Sequence, residues 1–525
     1  MSKFNKTVKT GVQSPIKSTG AAVNHGGKSA FARDTKSELF LLAVSNFVGQ
    51  DTFYESAKNR DDRFASLCRT VAISDEAWFL SFVKWLRNDA FMRSASIVAA
   101  AEGSKALWES GRLNGTPRAL VAASMARADE PGEFLAYWSS KYGKNFPYFV
   151  KKGVADAANR LYNEYSLLKY DTESKGFRFG DVLQLTHPKA KNAKQNDLYE
   201  HALDRRYDND IQQFRGLPIL IARNHLMAVS VKDRRKSEWL NADTLKAAGM
   251  TWEALAGWLQ GPMDKTAWEA VIPNMGYMAL LRNLRNFQEA GVSKIVMNDV
   301  LTQLADPEKV AKSKQFPFRF LSAYNANKNN LPIAAAMEMA LEASLVNVPA
   351  LSGKTLILVD RSGSMFPTWS YGSKIESLGL SFADAAAIFG TALALRAENA
   401  TLVQFGSSAH EVKFRKGDSV LPLLSKFKDL GGTSTRQAIQ QFFKNHDRVV
   451  IITDEQYNGW GGDPTEAVPV GTPVYTWNLN GYKAGQSESG RLKRHTFGGL
   501  TDKAWQMIPL LEAGQTGKWP WLLVD

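Results

Sequence analysis

Three oxygen-bearing side chains follow a single apolar run at alternate positions. The run Thr355–Val359 predicts a buried β-strand, and Asp360, Ser362 and Ser364 come directly after it. A carboxylate and two hydroxyls in one tight turn form an oxygen-only site, which suits Mg²⁺ or Mn²⁺ better than Zn²⁺. The pattern alone is a weak signal, because Asp and Ser are common turn residues.

Two later loops offer the same chemistry. Gly431–Thr435 contains two glycines and three hydroxyls before a predicted helix, and Thr453-Asp454 ends the apolar run Val449–Ile452. In a doubly wound sheet, ligands bind beyond the carboxyl ends of the strands. We therefore expect a divalent-cation site built from Asp360, Ser362, Ser364, Thr433 and Asp454, with one position left for water or a partner's carboxylate. No His or Lys general base stands out in these loops, which favours binding over catalysis.

The elements around these loops change character near residue 350. After Pro349, strand-like runs alternate with helices such as Ser381–Ala397 and Thr433–Phe443, which predicts an α/β domain with a mostly parallel, doubly wound sheet over 350–525. Before it, 31–349 shows repeated helical periodicity, as in the predicted helices Tyr148–Tyr165 and Thr266–Glu289, with Gly, Pro or Asn at the breaks. Such a series predicts an all-α helical-repeat module, although no strict sequence period is present.

The basic charge is concentrated before residue 350. Residues 1–349 hold 47 Lys and Arg against 36 Asp and Glu, whereas the remainder holds 18 against 16. The excess indicates either a nucleic-acid-binding surface or a solubilising one. Residues 1–30 contain five lysines and no acidic residue, which predicts a basic arm that is flexible until something orders it, either by contact with RNA or by folding back on the body.

The sequence also limits the class of protein. A single cysteine, Cys68, excludes an intramolecular disulfide framework, and its apolar context favours a buried thiol. No secretory h-region is apparent. The most apolar stretch, Leu331 to Val348, carries Glu338 and Glu342 and does not suit a membrane span. We expect a soluble, cytoplasmic protein with no membrane association.

The three polar loops, in this order, resemble the metal-ion-dependent adhesion site (MIDAS) of von Willebrand factor A domains. That resemblance implies that some of the five residues bind the metal directly and that others, usually the aspartates, bind it through water. The alternative is a Rossmann-like domain with unrelated polar turns.

The helical half resembles the TROVE module of the Ro autoantigen family. The resemblance is carried, in the family's order, by KYGKNFPYFVKKGVADAANRLYNEYSLLKY, GFRFGDVLQLTHPK, WEAVIPNMGYMALLRNLRNF and FPFRFLSAYNANK. It implies a monomeric ring of HEAT-like repeats closed by the A domain. In that family the outer basic surface binds small non-coding Y RNA, and the central hole accepts single-stranded 3′ ends of misfolded RNA. Bacterial relatives can pair with an exoribonuclease through the Y RNA.

Eleven residues are candidates for RNA contact under this resemblance. His187 matches a family histidine that contacts Y RNA, although a helix-terminal histidine can equally serve as a cap. Arg282, Arg285 and Arg319 are candidates for the hole, or for salt bridges between helices. The remaining candidates for phosphate contact are Lys151, Lys152, Arg160, Lys169, Lys175, Arg178 and Lys189. The acidic stretch Asp171-Thr172-Glu173 departs from the more basic family loop, which leaves the affinity for Y RNA open.

Two alternatives to a non-enzymatic RNA-binding ring remain open. In the first, the chain is an adaptor whose metal site captures an Asp or Glu of a partner protein. The second is a metal-dependent hydrolase, for which the loops offer little support because they lack a general base.

Overall fold

The computed structural model describes residues 13–522 with gaps at 26, 46–47, 50, 53, 113, 208–215, 347, 367–373, 376–379, 458–461, 501–504 and 514–517. Residues 1–12 of the predicted basic arm lie outside the described part.

The first 344 residues are dominated by helices, as the periodicity predicted. Between the second and third strands the described chain contains only helices and connections. The helices α1–α19 are Thr35–Ser45, Ala57–Ser74, Glu76–Asn88, Arg93–Glu109, Thr116–Ala123, Glu130–Tyr142, Tyr148–Leu161, Glu164–Tyr170, Phe179–Thr186, Ala193–Tyr207, Pro218–Met227, Ala242–Ala247, Trp252–Leu259, Lys265–Val271, Tyr277–Glu289, Lys294–Ala305, Pro307–Ser313, Pro317–Asn327 and Leu331–Ser344.

Two helices predicted as continuous are each divided. The predicted Tyr148–Tyr165 helix is interrupted because Asn163 adopts an extended conformation and its side chain caps the next helix, α8. The predicted Thr266–Glu289 helix is interrupted at Pro273, which cannot donate the backbone hydrogen bond that a helix interior requires.

The C-terminal region is an α/β domain, which confirms the predicted fold class. Its helices α20–α23 are Phe382–Arg396, Val420–Leu423, Thr435–Phe442 and Met507–Glu512. The strands of the chain, β1–β11, are Ser18–Val23, Ser29–Arg33, Lys354–Asp360, Lys374–Ile375, Leu380–Ser381, Asn399–Phe405, Ala409–Glu411, Arg448–Thr453, Val474–Asn478, Ala484–Gly485 and Arg494–Gly498.

The main sheet has six strands in the order β11-β9-β8-β3-β6-β7, and only β7 runs antiparallel to its neighbour. Alternate residues of β3 face opposite sides. Ile357 and Val359 belong to the core that contains α20, whereas Leu356 and Leu358 pack in a second core with α22. Helices on both faces of a mostly parallel sheet are the doubly wound arrangement that the sequence predicted.

The N-terminal segment differs from the predicted flexible arm over its described residues. β1 and β2 pair antiparallel, and β2 also pairs with β10 of the α/β domain. These residues fold back on the body, which is the ordered alternative to a flexible arm. The segment's own composition contains no information about the distant strand β10 that provides some of its hydrogen bonds.

The helical series contacts the α/β region at both of its ends. Near its start, the Arg63 guanidinium donates to the Gly481 carbonyl at 3.0 Å, and Phe40 packs against Trp519 at 5.4 Å between ring centres. At its end, the Glu338 carboxylate accepts the Val420 N–H at 2.6 Å. The helices therefore leave the α/β region and return to it.

No helix in the described residues is long and apolar enough to cross a membrane. Cys68 is buried, in agreement with its predicted structural role.

Candidate metal and RNA sites

The two aspartates of the predicted metal site come from neighbouring strands. Asp360 is the last residue of β3, and Asp454 directly follows β8. These strands pair in parallel register, with Val359 opposite Ile452. Because parallel neighbours end at the same edge of a sheet, the two carboxylates lie beside each other.

Backbone hydrogen bonds bring the third loop to the same edge. The Leu430 N–H donates to the Arg361 carbonyl at 2.9 Å, and the Gly363 N–H donates to the Gly431 carbonyl at 2.5 Å. Gly431 has a φ of 76°, a left-handed conformation that favours glycine. These contacts hold the Thr433 loop against the Ser362–Ser364 turn.

All five predicted metal ligands are buried, with Asp360 and Asp454 fully inaccessible to solvent. The Ser362 N–H donates to Asp360 Oδ1 at 2.8 Å, and the hydroxyls of Ser362 and Ser364 are 3.2 Å apart. Asp454 Oδ1 accepts the Gln456 N–H at 2.9 Å. Asp454 Oδ2 accepts no well-formed hydrogen bond from the described residues, although the Ser364 hydroxyl lies near this carboxylate.

Burial, together with the charge of Asp360, raises the pKa of Asp454 to about 7. Burial likewise raises the pKa of Asp360. Two desolvated carboxylates repel each other, and a divalent cation between them would remove that cost. The two carboxylates and three hydroxyls therefore fit a hard cation such as Mg²⁺ or Mn²⁺.

Other metal chemistry finds less support. No cluster of three His, Cys, Asp or Glu side chains suited to a metal occurs among the described residues.

Arg361, inside the first loop, has a structural role, because its guanidinium donates to the carbonyls of Lys428 and Ala383.

Sequence reasoning missed one neighbour of this site. Tyr54, in the loop between α1 and α2, is hydrogen-bonded to Ser364. No local signal marks Tyr54, because its relation to the metal loops exists only once the N-terminal segment has docked on the α/β domain.

The candidate RNA-binding residues of α7–α9 include a solvent-accessible group. Exposed members are Lys169, Lys175, His187 and Lys189, while Lys151 and Lys152 are half-buried. His187 ends α9 in the left-handed conformation, with φ 47°, and its N–H donates to the Leu183 carbonyl at 2.9 Å. Its backbone caps the helix while its side chain is left open to solvent.

Two of the predicted residues already have structural partners. The Arg160 guanidinium donates to the carbonyls of Ala122 at 3.1 Å and Met125 at 2.6 Å. Arg178 forms a 2.9 Å ion pair with Asp171, which is only 2% exposed. Asp171, one of the two acidic residues in the stretch that departs from the family loop, is thus a buried structural carboxylate.

The structure places Arg282, Arg285 and Arg319 around one cavity of about 310 Å³. Arg285 pairs with Glu289 of its own helix at 2.7 Å, and this pair is largely exposed. Among the described residues Arg282 has no carboxylate at ion-pair distance. Burial and the charge of Arg282 lower the pKa of Arg319. In the described residues, neither Arg282 nor Arg285 forms a salt bridge to another helix.

A larger cavity of about 490 Å³ shares Met278 with the arginine cavity. It is lined by Lys169 together with the exposed Lys309 and Lys312, and by the aromatic side chain of Tyr165, which is 40% exposed. Lys309 and Lys312 were not predicted, since two lysines three residues apart on a short helix carry no distinctive signal.

The chain thus consists of a helical module joined to an α/β domain, whose loops after β3 and β8 carry the candidate metal ligands. Residues 247–353 match the family model of the TROVE domain. The crystal structure of the Deinococcus radiodurans Ro (RSR) protein is similar over 91% of this chain and 99% of that one, with a TM-score of 0.59 and 18% identity. At that identity the likeness establishes the fold.

Curated relatives match over a shorter segment. Telomerase protein component 1 of Mus musculus and of Rattus norvegicus are each 41% identical over 63 residues, which are 12% of this chain and 2% of each relative. The chain thus matches only a small fraction of their length. The match to the TROVE domain and the similarity in fold to a Ro protein confirm the predicted resemblance to the Ro family.

Proposed function

We propose that this chain is a non-enzymatic, cytoplasmic Ro-like RNA-binding protein. It binds small structured Y-type RNA on the outer surface of its helical module and single-stranded 3′ ends of misfolded RNA in a central hole. Its task is RNA quality control or degradation, with the nuclease activity residing in a separate exoribonuclease.

The observation that carries the proposal is the convergence of Arg282, Arg285 and Arg319 on one cavity. Three guanidinium groups that line one cavity repel one another, and an anion that entered the cavity would offset this repulsion. Arginine binds phosphate oxygens in a bidentate manner, so a nucleic-acid backbone is an anion that suits this cavity.

The adjoining lysine-lined cavity extends the same chemistry. The Lys169 ammonium lies 5.9 Å from the ring centre of Tyr165, and the partly exposed ring offers a surface for an unpaired base. Basic grooves with aromatic platforms are typical of single-strand binding.

A binding assay with matched RNAs tests the proposal. The full chain should bind a hairpin with a single-stranded 3′ tail more tightly than the same hairpin without it. Arg282→Ala with Arg285→Ala should reduce the preference for the tail and lower the salt slope, d log K/d log[salt], by about 1.4, or about 0.7 per lost single-strand phosphate contact. Both arginines are exposed, so the fold should tolerate the change.

The matched control is Arg415→Ala, an exposed arginine of the α/β domain. It should leave both the tail preference and the salt slope unchanged. Equal binding of tailed RNA, tailless RNA and heparin would refute the proposal.

The outer surface is tested separately by changing Lys151, Lys152 and His187 together to alanine. This triple variant should weaken binding of the tailless structured RNA while retaining the preference for a 3′ tail. Unchanged affinity for structured RNA would place the Y-type RNA elsewhere.

A second candidate function is a metal-dependent adaptor, supported by the oxygen-only donor set around Asp360 and Asp454. In that case Asp360→Ala should abolish the main protein contact and leave RNA affinity unchanged. In either function the metal site would hold Mg²⁺ or Mn²⁺ through Asp360, Ser362, Ser364, Thr433 and Asp454.

A further inference from the structure

The edge of the sheet that carries the metal loops is covered by the chain's own N-terminal region. Tyr54 is hydrogen-bonded to Ser364, and Asp360 and Asp454 lie close enough for their charges to act on the Tyr54 hydroxyl. This hydroxyl belongs to the loop between α1 and α2, more than 300 residues before Ser364.

Aromatic neighbours hold the Tyr54 ring in this position. It stacks on His25 at 5.3 Å between ring centres with an interplanar angle of 10°, and it meets Tyr482 edge-on at 5.6 Å. Tyr482 is only 2% exposed. The three rings therefore form an aromatic cover beside two buried carboxylates.

The residues directly after Asp454 hold the same N-terminal region. The Asn24 side chain donates to the Tyr457 carbonyl at 2.7 Å, and the His25 N–H donates to Gln456 Oε1 at 3.3 Å. Gln456 also donates its own N–H to Asp454 Oδ1. One short loop thus connects a metal carboxylate to the N-terminal segment.

A buried ion pair strengthens this connection. Arg33, at the end of β2, pairs with Glu455 at 2.7 Å, and both side chains are 1% exposed. A side chain at Gly485 would overlap both partners, so the glycine of β10 is required for their approach. Breaking such a pair is costly, because it leaves an uncompensated buried charge.

We propose that the metal site is an internal clasp. In this arrangement Tyr54 orients the Ser364 hydroxyl toward the cation. Tyr54 also covers the position that a partner's carboxylate would otherwise take. Metal binding therefore fastens the N-terminal region to the α/β domain. Tyr54 acts as a positioning residue through Ser364. The inference rests on the proposed metal site and is independent of RNA binding.

The buried, unpartnered Oδ2 of Asp454 provides a second observation for a cation. It lies on the carboxylate nearest the tyrosine cover, within a site that already contains Ser364 and Asp360. A cation at this point would be enclosed by groups from both regions of the chain.

Titration of the full-length protein with Mn²⁺, followed by electron paramagnetic resonance, tests the role of Tyr54. The wild type should bind one Mn²⁺, and Asp454→Asn should not. Tyr54→Phe should raise the Kd about tenfold, because the hydroxyl that orients Ser364 is lost. The control Tyr207→Phe, at a half-exposed tyrosine on α10, should leave the Kd unchanged. An unchanged Kd in Tyr54→Phe would overturn the inference.

Hydrogen–deuterium exchange with and without Mg²⁺ provides an independent measurement of the clasp. In the wild type, Mg²⁺ should slow exchange in β2 as well as in the loops that follow β3 and β8, and Tyr54→Phe should lose the β2 effect. Protection confined to the two loops would overturn the clasp even though the metal binds. Absence of Mn²⁺ binding in the wild type would overturn both the site and the clasp, and the RNA assays above would be unaffected.

Discussion

Replacing Asp454 by asparagine should stabilise the metal-free protein at neutral and alkaline pH. The raised pKa of about 7, compared with an ordinary value of 3.8, means that the folded chain binds this proton more tightly than the unfolded chain. The contribution of this proton to the free energy of unfolding is therefore fully present below pH 3.8, and it is lost as the pH rises toward and through 7. The difference of about three pKa units corresponds to about 4 kcal/mol at pH 8.

The neutral amide avoids this cost while conserving the shape of the side chain. With EDTA at pH 8, Asp454→Asn should therefore unfold at a higher temperature than the wild type, by roughly 10 °C for the transition of the α/β domain. At pH 5 the two proteins should differ much less, because the wild-type carboxyl is then mostly protonated.

Magnesium should reduce this difference. A cation at 100 times its Kd stabilises the folded wild type by about 2.7 kcal/mol through mass action, whereas Asp454→Asn lacks a charged ligand and should gain little. Differential scanning calorimetry at pH 5 and pH 8, with EDTA or Mg²⁺, measures all of these quantities. The reasoning is refuted if Asp454→Asn is no more stable than the wild type in EDTA at pH 8, or if Mg²⁺ stabilises both equally.

Three further predictions follow from buried or paired groups. Burial lowers the pKa of His495 to about 4, so about 3 kcal/mol of stability that the neutral imidazole provides should be lost as the pH falls from 6.5 through 4. In urea titrations at pH 7 and pH 4.5, His495→Phe should remove this sensitivity to acid. An equal loss of stability in the variant and the wild type would contradict the prediction. Arg33→Met should cost about 3–5 kcal/mol in urea denaturation, because the buried Glu455 would keep its hydrogen bond from Asn478 but lose the positive charge that compensates it. A loss below about 1 kcal/mol would show that the ion pair is not needed. Arg160→Gln should lower the free energy of unfolding by about 1–2 kcal/mol, because the hydrogen bonds of Arg160 to two carbonyls are lost. The salt slope of RNA binding should stay unchanged, whereas a slope lowered by about 0.7 would identify Arg160 as a phosphate ligand.

The sequence was sufficient for features that depend on near neighbours in the chain. The apolar run before Asp360 and the one before Asp454 predicted two strands, and in a parallel sheet neighbouring strands necessarily end at one edge. The glycines before Thr433 predicted a close backbone approach, which the Gly431 carbonyl makes. Helical periodicity likewise predicted the long helical module, because a 3.6-residue spacing of apolar side chains is a local property.

The tertiary structure alone decided which of the predicted residues are available to a ligand. Arg178 and Lys175 belong to one basic stretch in the sequence, yet Arg178 is neutralised by a buried Asp171 while Lys175 is exposed. Arg282 and Arg319 share a cavity only because α15 and α18 are brought together by the helices between them.

The same reason explains the N-terminal region and Tyr54. Five lysines and no acidic residue predicted a flexible arm, but β2 finds its partner in β10, and Tyr54 finds Ser364 across 310 residues. Local composition determines whether a segment would be flexible in isolation. Whether it is ordered in the protein depends on hydrogen-bond and packing partners that folding of the intervening chain brings close to it. The sequence by itself predicted the candidate metal ligands at the ends of β3 and β8, because each follows a locally recognisable strand. Only the folding of the chain back onto these loops determined what covers them, because Tyr54 and Ser364 are distant in the sequence.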